Sequence, residues 1–165
     1  MEDVLRPLSD IPAINRGGGI YAEAYAVHRR QLETGERLYD PRVASRILRV
    51  KGLSAADYFD VLRAREDVIE RANRVTAPFD AVILPTTAMV APSIAELEAD
   101  EGLYARKNIL MLRNTFCFNF LDRCALSIPM HRKGDAPAGL MVVGETMGDA
   151  RLLAVGRAIE KALRV

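Results

Sequence analysis

Residues 124–144 read CALSIPMHRKGDAPAGLMVVG. Two short apolar runs flank a polar centre that carries glycine and proline. Cys124 to Met130 has the length and β-branched content of a strand. Arg132-Lys133-Gly134-Asp135-Ala136-Pro137 is a polar turn, and Gly139 to Gly144 reads as the returning strand. Two such runs around about six turn-forming residues predict an antiparallel hairpin. A third strand is expected upstream at Ala81-Val82-Ile83-Leu84, entered through Phe79-Asp80 and stopped by Pro85. A short apolar run that ends at proline fits a buried strand better than a helix.

Helices surround these strands. The clearest follows Ser54, where Ser54-Ala55-Ala56-Asp57 fits a capping pattern, with a hydroxyl to accept from the first turn and an acid near the positive end of the helix. Tyr58, Val61, Leu62, Val68, Ile69 and Val75 then recur at three- and four-residue steps, and the helix must stop before Pro78. Further helices are expected over 20–34, from Pro41 behind an Asp40 cap and fading at Gly52, over 101–116, and from an Asp149 cap to about Leu163. A brief helix fits Ser93–Leu97. Residues 1–19, with Pro7, Pro12 and Gly17-Gly18-Gly19, read as an irregular arm, and 20–165 as a single domain.

The expected fold class is α/β, with helices packed on a small mixed sheet of about three strands. Three strands leave two edges with few neighbours, and an open edge invites pairing with another segment. The inventory therefore points to part of a larger object.

Bulk properties exclude several functions. With 23 Lys plus Arg against 22 Asp plus Glu, the formal net charge is +1. So even a balance creates no long-range field for nucleic acid or anionic lipid. No apolar run approaches the roughly 20 residues that cross a bilayer, and the first residues lack the apolar centre of a secretory signal. A cytoplasmic protein is expected. Cys117 and Cys124 form neither a Cys-x-x-Cys pair nor a disulfide framework, so they read as small buried hydrophobes.

The chemistry expected of an isolated enzyme is hard to find. Nucleophilic hydrolysis needs a nucleophile beside a base. Ser9, Ser45, Ser54, Ser93 and Ser127 lie in no glycine-rich turn, and no Ser-x-x-Lys occurs. His28 and His131 are far apart in sequence without a supporting carboxylate cluster, so no metal and no cofactor is expected. The glycine triplet lacks the Lys-Ser/Thr of a phosphate loop, and Gly139, Gly144 and Gly148 miss the dinucleotide spacing. More informative are polar residues beside apolar strands. Thr86 and Thr87 sit just beyond the first strand, where α/β sheets tend to bind ligands. Asn114, Thr115, Asn119 and Asp122 interrupt an apolar stretch, where buried polar groups need partners.

Four segments in order carry a family resemblance. Tyr39-Asp40-Pro41-Arg42-Val43 leads to the Ser54 helix. Phe79-Asp80-Ala81-Val82-Ile83-Leu84-Pro85-Thr86-Thr87 follows. Asn119 precedes Ala125-Leu126-Ser127-Ile128-Pro129. Pro137-Ala138-Gly139-Leu140-Met141-Val142-Val143-Gly144 then leads to Asp149 and Leu152-Leu153. From about residue 10 to the end, the set resembles the C-terminal part of the amidase-signature family, which includes bacterial amidases and the amidase subunit of tRNA amidotransferases.

That resemblance implies a partial copy of a large α/β fold with a mixed central sheet. It also implies amide hydrolysis through an acyl-enzyme, with a serine activated by a second serine and a lysine. Those residues belong to segments upstream of the matched region. Lys51, Lys107, Lys133 and Lys161 have no such context, so no catalytic residue carries over. Thr86, Thr87, Asn119 and Asp122 become candidates for the wall of a small-amide pocket in a complete enzyme. The expected partners are an N-terminal catalytic half or a second copy of the chain. The alternatives are an accessory subunit or a non-enzymatic, self-associating module.

Overall fold

The computed structural model describes residues 10–15 and 19–163. Contacts divide the chain into two compact units, Met1–Arg71 and Ala72–Val165, with the division inside a long helix.

In the first unit, residues 10–14 are helical, where the sequence suggested an irregular arm; the rest of that arm, residues 1–9 and 16–18, lies outside the described residues. Helix α1 spans Ala22–Gly35, α2 Pro41–Leu48, and α3 begins at Ala55 and continues to Thr76. The Asp40 side chain accepts from the amides of Arg42 and Val43, with Pro41 at the first turn as expected. Leu32, Ala44 and Ile47 form a buried cluster between α1 and α2, flanked by Ala24, Tyr25, Tyr39 and Leu48. His28, read from the sequence as a surface residue, is half-buried. Its Nδ1 lies 2.9 Å from the Tyr39 hydroxyl, which donates to Gln31 Oε1 at 2.8 Å. The start of α3 is a reciprocal box. The Asp57 amide donates to Ser54 Oγ at 3.1 Å, and the Ser54 amide to Asp57 Oδ2 at 3.2 Å. This satisfies two amides that the first turn would otherwise leave unpaired.

The second unit carries the sheet. Strand β1 (Val82–Pro85) pairs with β3 (Gly139–Val143), which pairs with β2 (Ala125–Pro129), giving the order β1-β3-β2. Both pairings are antiparallel, so the hairpin forms as expected. The sheet read as mixed contains no parallel pair among the described strands. Register places Ile83, Val142 and Leu126 side by side on one face, and Leu84, Met141 and Ser127 on the other. The β2–β3 part of the first face is covered by α6 (Asp149–Leu163), where Ile128, Val142 and Leu152 are buried together, flanked by Val155 and Ile159, while Ile83 on β1 stays exposed. A Cβ at Gly156 would sit 2.6 Å from Leu126 Cδ2, so glycine sets how closely α6 approaches the sheet. Asp149 is the first residue of α6 rather than its cap; the Leu152 amide bonds the Gly148 carbonyl at 2.9 Å.

Helices α4 (Ile94–Ala99) and α5 (Glu101–Phe120) connect β1 to β2. Their caps are Ser93, accepting from the Glu96 amide, and Asp100, accepting from the Leu103 amide. Helix α5 runs four residues beyond the expected 116. Asn, Phe and Cys are weak helix formers, so local propensity fades there. The structure extends the helix by burying Phe118 and Phe120. It ends in a Schellman pattern: the Arg123 amide bonds the Phe118 carbonyl, the Asp122 amide bonds the Asn119 carbonyl, and Asp122 has φ 59°.

Candidate functional site

The register brings hydroxyls together at one end of the sheet. Thr86 follows β1 opposite Gly139, and its amide donates to the Gly139 carbonyl at 2.8 Å. Ser127 projects from β2 on the same face. Between them β3 presents glycine. A Cβ on Gly139 would lie 2.3 Å from Ser127 Oγ and 2.8 Å from Thr86 Oγ1. The missing side chain lets the two hydroxyls meet across the middle strand, 2.5 Å apart. The Asn114 side-chain amide, from α5, donates to the Pro85 carbonyl at 2.8 Å. Thr87 turns away to donate to the Met89 carbonyl at 2.9 Å, which fixes the loop after β1.

Thr86, Ser127 and Asn114 therefore form a polar end to an otherwise apolar sheet. Ser127 is exposed and Thr86 partly so. Ser127 is hydrogen-bonded to another hydroxyl, not to a lysine, histidine or carboxylate. A hydroxyl pair of this kind can donate to and accept from a bound amide. Among the described residues it has no hydrogen-bonded group to take the proton that a nucleophilic attack releases.

Asn119 and Asp122 lie elsewhere. Asp122 precedes β2, and its carbonyl accepts from Thr146 Oγ1, after β3, at 2.7 Å. This is the opposite end of the strands from Thr86, roughly 16 Å away at ~3.3 Å per residue. Both side chains are exposed, and Asp122 takes the left-handed position that closes α5. The structure thus joins Thr86 and Thr87 in one loop and separates them from Asn119 and Asp122.

A second polar cluster occupies that opposite end. Arg123 Nη2 donates to Asn73 Oδ1 at 2.6 Å and to Thr76 Oγ1 at 2.9 Å, and Nη1 to the Gly144 carbonyl at 3.4 Å. Desolvation lowers the guanidinium pKa, partly offset by Glu145 and Cys124. The arginine ties the end of α3 to the end of β3. Burial raises the Cys117 thiol pKa, opposed by Arg113, so at neutral pH it stays a thiol and not a nucleophile. Among the described residues, no three His, Cys, Asp or Glu side chains converge as metal ligands. No described helix is long and apolar enough to cross a membrane.

Sequence reading named Thr86 and Thr87 but missed Ser127 and Gly139 as their partners. Their proximity depends on strand register, which no local motif encodes.

The second unit is thus a three-stranded sheet with a helix on one face and a polar end. The Amidase family model matches residues 13–153, and the chain belongs to the amidase family. It is 30% identical over 154 residues to 2-amino-5-chloromuconic acid deaminase of Comamonas testosteroni, covering 89% of this chain and 32% of that protein. It is 32% identical over 111 residues to the fatty acid amide hydrolase of Oryza sativa subsp. japonica, covering 66% of this chain and 18% of that one. A solved amidase superposes with a TM-score of 0.77 at 23% identity, over 94% of this chain and 36% of its own. These 165 residues therefore span well under half the length of these relatives.

Proposed function

We propose that this chain supplies the C-terminal part of an amide C–N hydrolase, contributing core and one wall of the pocket while the nucleophile comes from the region it lacks. The Thr86–Ser127 pair carries this reading. It places two hydroxyls on an exposed sheet end with no base hydrogen-bonded to them among the described residues, which suits a hydrogen-bonding wall and not an acyl-transfer centre. Thr86 and Thr87 keep their proposed role in that wall. Asn119 and Asp122 are proposed to shape its far margin through a neighbouring segment. An amide substrate accords with relatives named as fatty acid amide hydrolases, and a small amide is the class proposed for this pocket. Residues 20–165 are proposed to act as one domain of a cytoplasmic protein.

The accessory reading has its own support: large apolar side chains are exposed on α5, with Ile109 71% and Leu112 45% accessible. Such faces mark surfaces that belong against other protein. The isolated chain, assayed against a panel of primary amides and with a fluorophosphonate that labels activated serines, is expected to show no turnover and no labelled serine. Turnover that disappears in Ser127→Ala would make this chain itself the enzyme and overturn the proposal.

A further inference from the structure

The peptide unit joining Pro85 to Thr86 is bonded on both sides. The Thr86 N–H donates inward to the Gly139 carbonyl at 2.8 Å. A trans peptide is planar and sets its carbonyl opposite its N–H, so the Pro85 carbonyl points away from β3. In the order β1-β3-β2 no described strand lies on that side of β1. The partner comes instead from α5, where Asn114 Nδ2 donates to that carbonyl at 2.8 Å. Arg113 Nε donates to Asn114 Oδ1 at 3.2 Å. The two contacts fix which way the side-chain amide faces, since a flipped amide would set donor against donor and acceptor against acceptor. Asn114 is half-buried. With the peptide plane held from two sides, the backbone entering Thr86 is restrained. Threonine is β-branched and stiff at χ1, so restraining its backbone also restrains the hydroxyl that meets Ser127 Oγ.

We propose that Asn114 is the positioning residue of the Thr86–Ser127 wall: it takes the place of a neighbouring strand at the end of β1 and so sets where the Thr86 hydroxyl lies. This rests on the reading above that the wall contacts an amide substrate. Asn114 needs no contact with that substrate, because it acts through Thr86. Without its side-chain amide, the Pro85 carbonyl turns to water and the peptide plane is free to tilt about the remaining bond to Gly139. The Thr86 hydroxyl then leaves the reach of Ser127. Thr87, one residue further on, already turns elsewhere, to the Met89 carbonyl. The loss falls on binding and not on chemistry. A wall that meets ground state and transition state alike changes KM and leaves kcat.

Two proteins test this: the isolated chain, and a chimera of the Comamonas testosteroni deaminase whose matching segment is replaced by this chain. In both, urea unfolding of Thr86→Val, Ser127→Ala and the double variant gives the Thr86–Ser127 coupling. One hydrogen bond corresponds to a coupling of about 2–10-fold in the unfolding constant. In an Asn114→Ala background that coupling should fall to near unity. Asn114→Asp keeps the shape but loses the donor, so it should act as Asn114→Ala does; it also decides the comparison if Asn114→Ala prevents folding. In the chimera, assayed with the deaminase's own substrate, Asn114→Ala should raise KM by about 3–10-fold with kcat within about twofold, and should add nothing once Thr86→Val is present. Full Thr86–Ser127 coupling in Asn114→Ala or in Asn114→Asp would overturn the proposal, and so would effects of Asn114→Ala and Thr86→Val on KM that multiply. A chimera that loses the coupling with Asn114 but hydrolyses nothing would support the positioning role and count against the hydrolase reading. A chimera that hydrolyses amide with a KM unmoved by Asn114→Ala would overturn the positioning role and leave the hydrolase reading intact.

Discussion

Replacing Gly139 with alanine tests the geometry of the candidate site most sharply. The added Cβ would approach Ser127 Oγ to 2.3 Å, Thr86 Oγ1 to 2.8 Å and Thr86 Cβ to 3.4 Å. No backbone atom lies among these neighbours, so the strain can be relieved by rotating hydroxyls. Rotation breaks the Thr86–Ser127 hydrogen bond, worth about 0.5–1.5 kcal/mol. Residual crowding adds about 1–3 kcal/mol. Alanine returns roughly 0.5–1 kcal/mol over glycine in a strand. The expected net loss is about 1–3 kcal/mol, or roughly 2–12 °C in Tm for a chain of this size. The decisive comparison is in the Ser127→Ala background. There the hydrogen bond is already gone and the nearest clash is removed, so Gly139→Ala should become neutral or mildly stabilising. Urea unfolding of the wild type, both single variants and the double variant gives the coupling directly. An equal effect of Gly139→Ala in both backgrounds would refute the reasoning.

Other expectations follow from the same contacts. Asp122→Gly, at the left-handed residue closing α5, should stabilise the chain by about 0.5–1 kcal/mol in urea unfolding, since glycine carries no Cβ penalty there. Leu152→Ala empties part of the α6–sheet core, where Leu152 is 5% exposed, and should cost about 2–5 kcal/mol. Arg123→Lys should fail to restore what Arg123→Ala loses, because one ammonium cannot span Asn73, Thr76 and the Gly144 carbonyl as the guanidinium fork does; thermal melting of both variants checks this. For Cys117, the folded thiol pKa is raised. Protonation therefore favours the folded state, and that contribution fades as pH rises through the unfolded thiol range toward the folded value. Alkylation of Cys117 at pH 8 should accordingly be slower in the native chain than in urea, read by mass spectrometry.

What could be read from sequence was what local chemistry decides. Ser54, Asp40 and Ser93 mark helix starts because their side-chain oxygens accept first-turn amides wherever the chain goes next. The hairpin was legible because Arg132–Pro137 can do little but turn. Helix α5 was read too short because Phe118 and Phe120 hold it by burial, a tertiary effect that propensity cannot report. The site was half legible. Thr86 and Thr87 stand at a strand end, a position that general α/β topology marks. Their link to Ser127 depends on register across β3, and on glycine at 139 in particular. Asn119 and Asp122 looked like ligand groups because they are polar among phenylalanines. They lie at and beyond the C-terminal end of α5, and Asp122 closes it by its backbone.

The central claim is that these residues complete an amide hydrolase whose nucleophile lies outside them. It is tested most directly by hydrolysis in the chimera built on the Comamonas testosteroni deaminase, assayed with that relative's own substrate beside the isolated chain. The account predicts turnover by the folded chimera, none by the isolated chain, and a raised KM when Thr86→Val removes the hydroxyl from the wall. Turnover by the isolated chain, or a cooperatively folded chimera with no turnover, would contradict it.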